Sequence, residues 1–257
     1  MDALAERRRA DRTIPRIGTS EADWHRWPGL QLLPPISADA LMEGKARAVV
    51  VAPHPDDEVL AVGGLLAILA RVGIPVRMIA VTDGAASHPG SRTWPPQRLL
   101  YERPRESRAA LRCLGIEVEP IRLGFADGGL EARQCDLAER LARLLAASDT
   151  VFTTWRQDGH PDHEAAGHAC AFAAACAGAR LVEVPVWAWH WAEPGDSRLP
   201  WQRAHRLALD AEACRRKDEA LQCFHSQLQP DESTGAAPVL DATIRERAAR
   251  PYEVVFA

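Results

Sequence analysis

The stretch Ala48-Val49-Val50-Val51-Ala52-Pro53-His54-Pro55-Asp56-Asp57-Glu58 constrains the fold more than any other part of this 257-residue chain. A short run of alanine and valine closed by proline reads as a fully buried parallel strand. The residues that follow, Val59 to Val72, are apolar over a helical length and include Gly63 and Gly64, so one imidazole and three carboxylates sit at a strand-to-helix turn. In an open α/β sheet such a turn lies on the carboxyl edge of the strands, where ligands bind. His54 and Asp57, three apart across the turn, can face a common centre, which leaves Asp56 between them to point another way.

From Arg47 onward strand-like and helix-like segments alternate, which predicts βαβ units, right-handed crossovers and a mostly parallel sheet. Strands are expected at Ala48 to Ala52, Val76 to Thr82, Glu117 to Leu123, Thr150 to Thr154, Leu181 to Val186, Ala204 to Leu209 and Tyr252 to Phe256. Helices are expected near Glu58 to Val72, Pro104 to Leu114, Leu130 to Ala146, Asp162 to Ala177 and Ala211 to Phe224. Asp83 to Tyr101 holds too much glycine, proline and serine for regular structure, and as a long loop beside the first strand it should border the site. Residues 1–46, rich in arginine and proline, read as an extended segment laid on a single α/β domain of residues 47–257. Trp187, Trp189 and Trp191 alternate as they would on one face of a strand.

Composition narrows the function. A net charge of -4 and a pI near 6.1 argue against a nucleic-acid partner, the one short basic run, Arg7-Arg8-Arg9, being flanked by Glu6 and Asp11. No apolar stretch reaches the roughly 20 residues that span a bilayer, and Met1 to Arg12 lack the apolar core of a secretory signal, so a cytoplasmic protein without a membrane partner is expected. The cysteines, Cys113, Cys135, Cys170, Cys176, Cys214 and Cys223, form no Cys-x-x-Cys pair and read as reduced packing residues. No Gly-x-Gly-x-x-Gly follows the first strand and no Gly-x-Ser-x-Gly elbow occurs, so neither a dinucleotide site nor a serine nucleophile is expected.

A second polar cluster, Trp155-Arg156-Gln157-Asp158-Gly159-His160-Pro161-Asp162-His163-Glu164, follows the strand Thr150 to Thr154 and lies on the same edge of the sheet. His54, Asp57 and one histidine of this cluster would give the three ligands of a catalytic zinc with an open position for water. Asp56 is then the candidate base for attack on a carbonyl. Helix capping could account for the acids at both turns. It gives no reason for His54, His160 and His163 to gather at strand ends.

The two clusters resemble the paired motifs of the LmbE-like, or PIG-L-type, zinc deacetylases. Gly63-Gly64, Thr82-Asp83-Gly84, Arg103 with Glu106, Leu114-Gly115, Asp127-Gly128-Gly129-Leu130, and Lys217 with His225-Ser226-Gln227 occur in that family's order over about residues 47–228. The resemblance implies a Rossmann-like three-layer α/β sandwich and removal of N-acetyl from an amino sugar or its conjugate, with one zinc or another divalent ion per chain. It implies His54, Asp57 and His163 as metal ligands, Asp56 as general base, and His160, protonated, as the group that stabilises the oxyanion. Arg103 and Asp127 match positions that hold the sugar. Some relatives carry a tyrosine two residues before the first histidine of the second motif, where this chain has Asp158, and relatives usually have alanine directly before His54, where this chain has Pro53. Two rival functions share the fold: a zinc amidase acting on a thiol conjugate or other non-sugar amide, and a non-catalytic sugar-binding module. The tryptophan-rich segment suggests that Trp189 or Trp191 lines the substrate site and that the substrate exceeds free N-acetylglucosamine in size.

Overall fold

The computed structural model describes residues 12–15 and 17–257, so Arg7-Arg8-Arg9 lies outside the described residues. It opens with α1 (Glu21–Arg26), α2 (Pro28–Leu32), the short strand β1 (Pro35–Ile36) and α3 (Ala38–Met42). The α/β alternation then runs β2 (Arg47–Ala52), α4 (Asp57–Arg71), β3 (Val76–Thr82), α5 (Pro96–Cys113), β4 (Ile121–Phe125), α6 (Gln134–Ala142), β5 (Asp149–Thr154), α7 (Pro161–Ala177) and β6 (Arg180–Val184). The last part holds α8 (Ala188–Trp191), β7 (Ala204–Ala208), α9 (Ala211–Leu221), α10 (His225–Leu228), α11 (Ala242–Ala248) and β8 (Tyr252–Phe256). No described helix is long and apolar enough to cross a membrane.

The strands form one sheet in the order β1-β7-β8-β6-β5-β2-β3-β4. β4, β3, β2, β5 and β6 run parallel, and β8 is antiparallel to both β6 and β7. The β2 side chains alternate between two cores: Ala48, Val50 and Ala52 join one packed by α4, α5 and α9, whereas Val49 and Val51 join one packed by α6 and α7. Burial on both faces explains why β2 is a continuous apolar run rather than an alternating one. From β2 the chain moves outward to β3 and β4, then returns to place β5 and β6 on the opposite side. The carboxyl ends of β2 and β5 therefore flank the switch point at which an open α/β sheet leaves a crevice.

Several boundaries differ from expectation. α5 starts at Pro96 and runs through Pro104. The second proline, which reads as a helix start, sits inside the helix, so part of the expected loop is helical. β4 begins at Ile121, after Pro120, because proline cannot donate to the sheet. β6 ends at Val184, before Pro185, for the same reason. The described residues before Arg47 hold three short helices and a strand rather than an extended run, each of α1 and α3 being started by a serine whose hydroxyl accepts a backbone N–H. The tryptophans at 187, 189 and 191 do not alternate on a strand, since Ala188–Trp191 is a helical turn. All six cysteines are free, but Cys135 and Cys176 are exposed, so packing does not account for them.

Candidate active site

The turn after β2 is held by Pro53, whose carbonyl accepts Thr82 N at 3.1 Å and Thr82 Oγ1 at 2.8 Å. Asp56 follows with φ of 122°, which side chains rarely adopt. The local constraint is visible: its N–H donates to Glu58 Oε2 at 3.0 Å, and Ser107 Oγ holds the other Glu58 oxygen. Asp57 opens α4, its Oδ2 accepting the His54 N–H at 2.9 Å. At the other strand end, His160 caps α7, its Nδ1 accepting from the Asp162 N–H at 3.2 Å.

The sheet brings the two clusters together. The ring centroids of His54, His160 and His163 are 5.0, 5.3 and 4.9 Å apart pairwise. One oxygen, Asp57 Oδ2, stands 3.3 Å from His54 Nδ1 and 3.2 Å from His163 Nε2. The outer nitrogens face carboxylates: His54 Nε2 is 3.1 Å from both Asp127 Oδ1 and Asp162 Oδ2, and His163 Nδ1 is 2.8 Å from Asp158 Oδ2. His163 Nε2 is buried without a hydrogen bond. Among the described residues two groups have donor atoms close enough to share an ion, namely His54 with His160 and His163, and His54 with Asp127 and Asp162.

The charges follow from this crowding. Burial alone would raise Asp57, but His163 and His54 hold it far below the usual carboxylate range. Burial would lower His54 and His163; their carboxylate neighbours reverse it, raising His54 well above its ordinary value and His163 to about 9. His160 moves the opposite way, to about 3, through burial and the two charged imidazoles. With Nδ1 accepting a backbone N–H, His160 has Nε2 left as the nitrogen that carries a proton.

Asp158 is the residue whose place the sequence left unread. It is fully buried, and besides His163 it accepts the N–H groups of Val186, Trp187 and Ala188 at 2.9, 2.9 and 3.0 Å. Three successive N–H groups converging on one carboxylate pull this segment into the turn that becomes α8, which is why tryptophan alternation gave way. Its position in the histidine cluster was the available signal.

Asp56 is raised to about 7, by burial first and against the pull of Arg103. Arg103 Nη2 donates to Asp56 Oδ2 at 2.9 Å and to Pro55 O at 2.6 Å, and Nη1 to Gly84 O at 2.9 Å. Gly84 is required for that approach: its φ is +67°, and a Cβ there would lie 2.0 Å from Arg103 Nη1. Arg103 thus has the unforeseen task of orienting Asp56. Asp127, likewise expected at the sugar, accepts Ala86 N at 2.7 Å with its second oxygen.

A cavity of about 390 Å³ opens over this centre, in the roughly 300–1,000 Å³ range of small-molecule sites. His54, Asp56, Asp57, His160 and His163 line it together with Arg103 and Asp127. Trp187 and Trp189 are also in its wall. Trp191 is not among the lining residues; it is buried beneath, its Nε1 donating to Asp158 O at 2.7 Å.

Residues 49–174 match the family described as PIG-L: GlcNAc-PI de-N-acetylase. The chain is 31% identical over 129 residues to a probable N-acetyl-α-D-glucosaminyl L-malate deacetylase 2 of Bacillus cereus, covering 48% of this chain and 58% of that protein. It is 32% identical over 229 residues to a 1D-myo-inositol 2-acetamido-2-deoxy-α-D-glucopyranoside deacetylase of Mycolicibacterium vanbaalenii, covering 79% of this chain and 77% of the relative. The chain spans about half the length of several curated relatives, between 49% and 60% for three of them. Among solved structures, N,N'-diacetylchitobiose deacetylase from Pyrococcus horikoshii shares the fold at a TM-score of 0.55 and 19% identity, over 71% of this chain and 70% of that one.

Proposed function

We propose, from the premise that this chain belongs to the PIG-L (LmbE-like) deacetylase family, that it is a metal-dependent hydrolase removing N-acetyl from an amino sugar or amino-sugar conjugate. The observation that carries the reading is His163, whose Nδ1 is fixed by Asp158 while its Nε2 is buried without a bond beside Asp57. A metal-bound histidine has this arrangement, its outer N–H given to a carboxylate. His54 repeats it, with Nε2 on Asp127 and Asp162 and Nδ1 turned to Asp57. His54, Asp57 and His163 then supply two nitrogens and an oxygen, the donor set of a hydrolytic zinc site. The group of His54, Asp127 and Asp162 suits the outer role better, because Asp162 already accepts Gly128 N at 2.7 Å and Leu130 N at 3.1 Å. Zinc fits these donors, and other divalent ions fit them too.

When bound, the ion supplies a Lewis acid for the acetamide carbonyl and acidifies water at the site. Asp56, held by Arg103, takes the proton from the water whose oxygen adds to that carbonyl. The C–N bond then breaks, the Asp56 carboxyl returns the proton to the departing nitrogen, and acetate and a free amine result. His160 Nε2–H donates to the carbonyl oxygen as negative charge develops there, a task that a neutral imidazole performs. Trp187 and Trp189 offer apolar wall to a sugar ring or its substituent. The two relatives above are named for N-acetylated glucosamine joined to a second group, which supports a conjugate rather than free N-acetylglucosamine. The test is to incubate metal-loaded protein with O-substituted N-acetylglucosaminides and measure acetate and new primary amine. Equal amounts of both are expected; no acetate from any of them would overturn the reading.

A further inference from the structure

Four arginine and lysine side chains line the cavity, and three of them are ion-paired. Arg103 pairs with Asp56, Lys217 with Glu253 at 2.7 Å, and Arg250 with both oxygens of Glu21 at 2.6 and 2.7 Å. Arg247, in the last turn of α11, has no ion pair with any described carboxylate. It is only 8% exposed. Its Nη2 donates to a neutral acceptor, Thr19 O, at 2.7 Å, and its Nε is buried with no hydrogen-bond partner.

A buried guanidinium with an unmade bond is unfavourable unless something else supplies the acceptor. Arg247 lies on α11 and is tied to Thr19, on none of the turns that carry the histidine cluster. Burial and then Arg250 bring it down to about 10, which leaves it cationic at neutral pH. The cavity is also lined by the apolar Ile244, Leu240 and Val254, and a low-polarity wall strengthens a charge-assisted bond made beside it.

We infer that Arg247 is an anion-recognition site: the substrate carries, on the part remote from its acetamide, a carboxylate or phosphate that pairs with the Arg247 guanidinium. The inference rests on the deacetylase reading and names the chemistry of the conjugated group. The test compares three N-acetylglucosaminides of equal length, their O-linked arm ending in a carboxylate, a phosphate or a neutral carboxamide. A charged hydrogen bond of this kind is expected to favour one or both anions by roughly 10- to 100-fold in kcat/KM, mainly through KM. The larger ratio identifies which anion the site takes. In Arg247→Gln the preference should fall towards one, and Arg247→Lys should keep part of it. If Arg247→Gln does not fold, the wild-type ratios and Arg247→Lys decide. Turnover of all three at one rate by the wild type, or a preference that persists in folded Arg247→Gln, would overturn the anion site while leaving deacetylation intact. Release of acetate from none of them would instead remove the reading beneath it.

Discussion

Asp56 and Asp57 are adjacent carboxylates with opposite tasks, and their surroundings separate them. Asp57 is wedged between two imidazoles and stays ionised; Asp56 meets one guanidinium in a buried turn and is raised to about 7, near where a general base works best. Asp56→Asn should keep the metal and lower kcat by on the order of 10²-fold or more. Steady-state kinetics beside metal analysis checks this, and activity within a few-fold of wild type would leave Asp56 as a structural residue only. Asp158→Asn should act through His163, weakening metal affinity by about 10- to 100-fold, as loss of an outer carboxylate does; competition with a chelator measures it, and an unchanged affinity would contradict that role. The candidate ligands and base were legible because their residue types and their places at strand ends restrict the chemistry. Asp158 was not, because its significance lies in three backbone N–H groups donated from residues 186–188, which no spacing announces.

The elements were legible where burial sets the pattern and obscure where a local bond overrides it. β2, β3, β5 and α7 lie close to expectation, each bounded by clear turn signals. α8 and the helices before Arg47 were not foreseen, because tertiary contacts hold them. Trp24, on α1, is fully buried, stacks edge-on against Trp189 at 4.9 Å and donates its Nε1 to Trp189 O at 2.9 Å. Gly63 and Gly64 sit after a break in α4 at Val62, where the N–H groups of Gly64 and Leu65 donate to Glu253 at 2.7 and 2.9 Å. Space is tight there as well: a Cβ on Gly64 would lie 2.4 Å from Leu209. Trp24→Ala should cost about 3–5 kcal/mol, the range for emptying an aromatic site in a core. Chemical denaturation reads that loss, and a change below about 1 kcal/mol would show that the segment before Arg47 does not support the cavity wall.

At the scale of the whole molecule, the account rests on topology: two polar turns far apart in sequence meet because β2 and β5 are neighbours at the switch point of a parallel sheet. The sequence showed both turns and the shared edge, and the sheet order supplies the adjacency. Arg247 could not be read in this way, since an unmatched charge becomes visible only when all its neighbours are known. The central claim is that these turns build a single metal centre in which ligands and base are different residues. The most direct test is metal content per chain, by elemental analysis of purified protein, for wild type, His54→Ala, His163→Ala and Asp56→Asn. The account predicts about one divalent ion in wild type and in Asp56→Asn and far less in the two histidine variants. Near-stoichiometric metal in both histidine variants would contradict it.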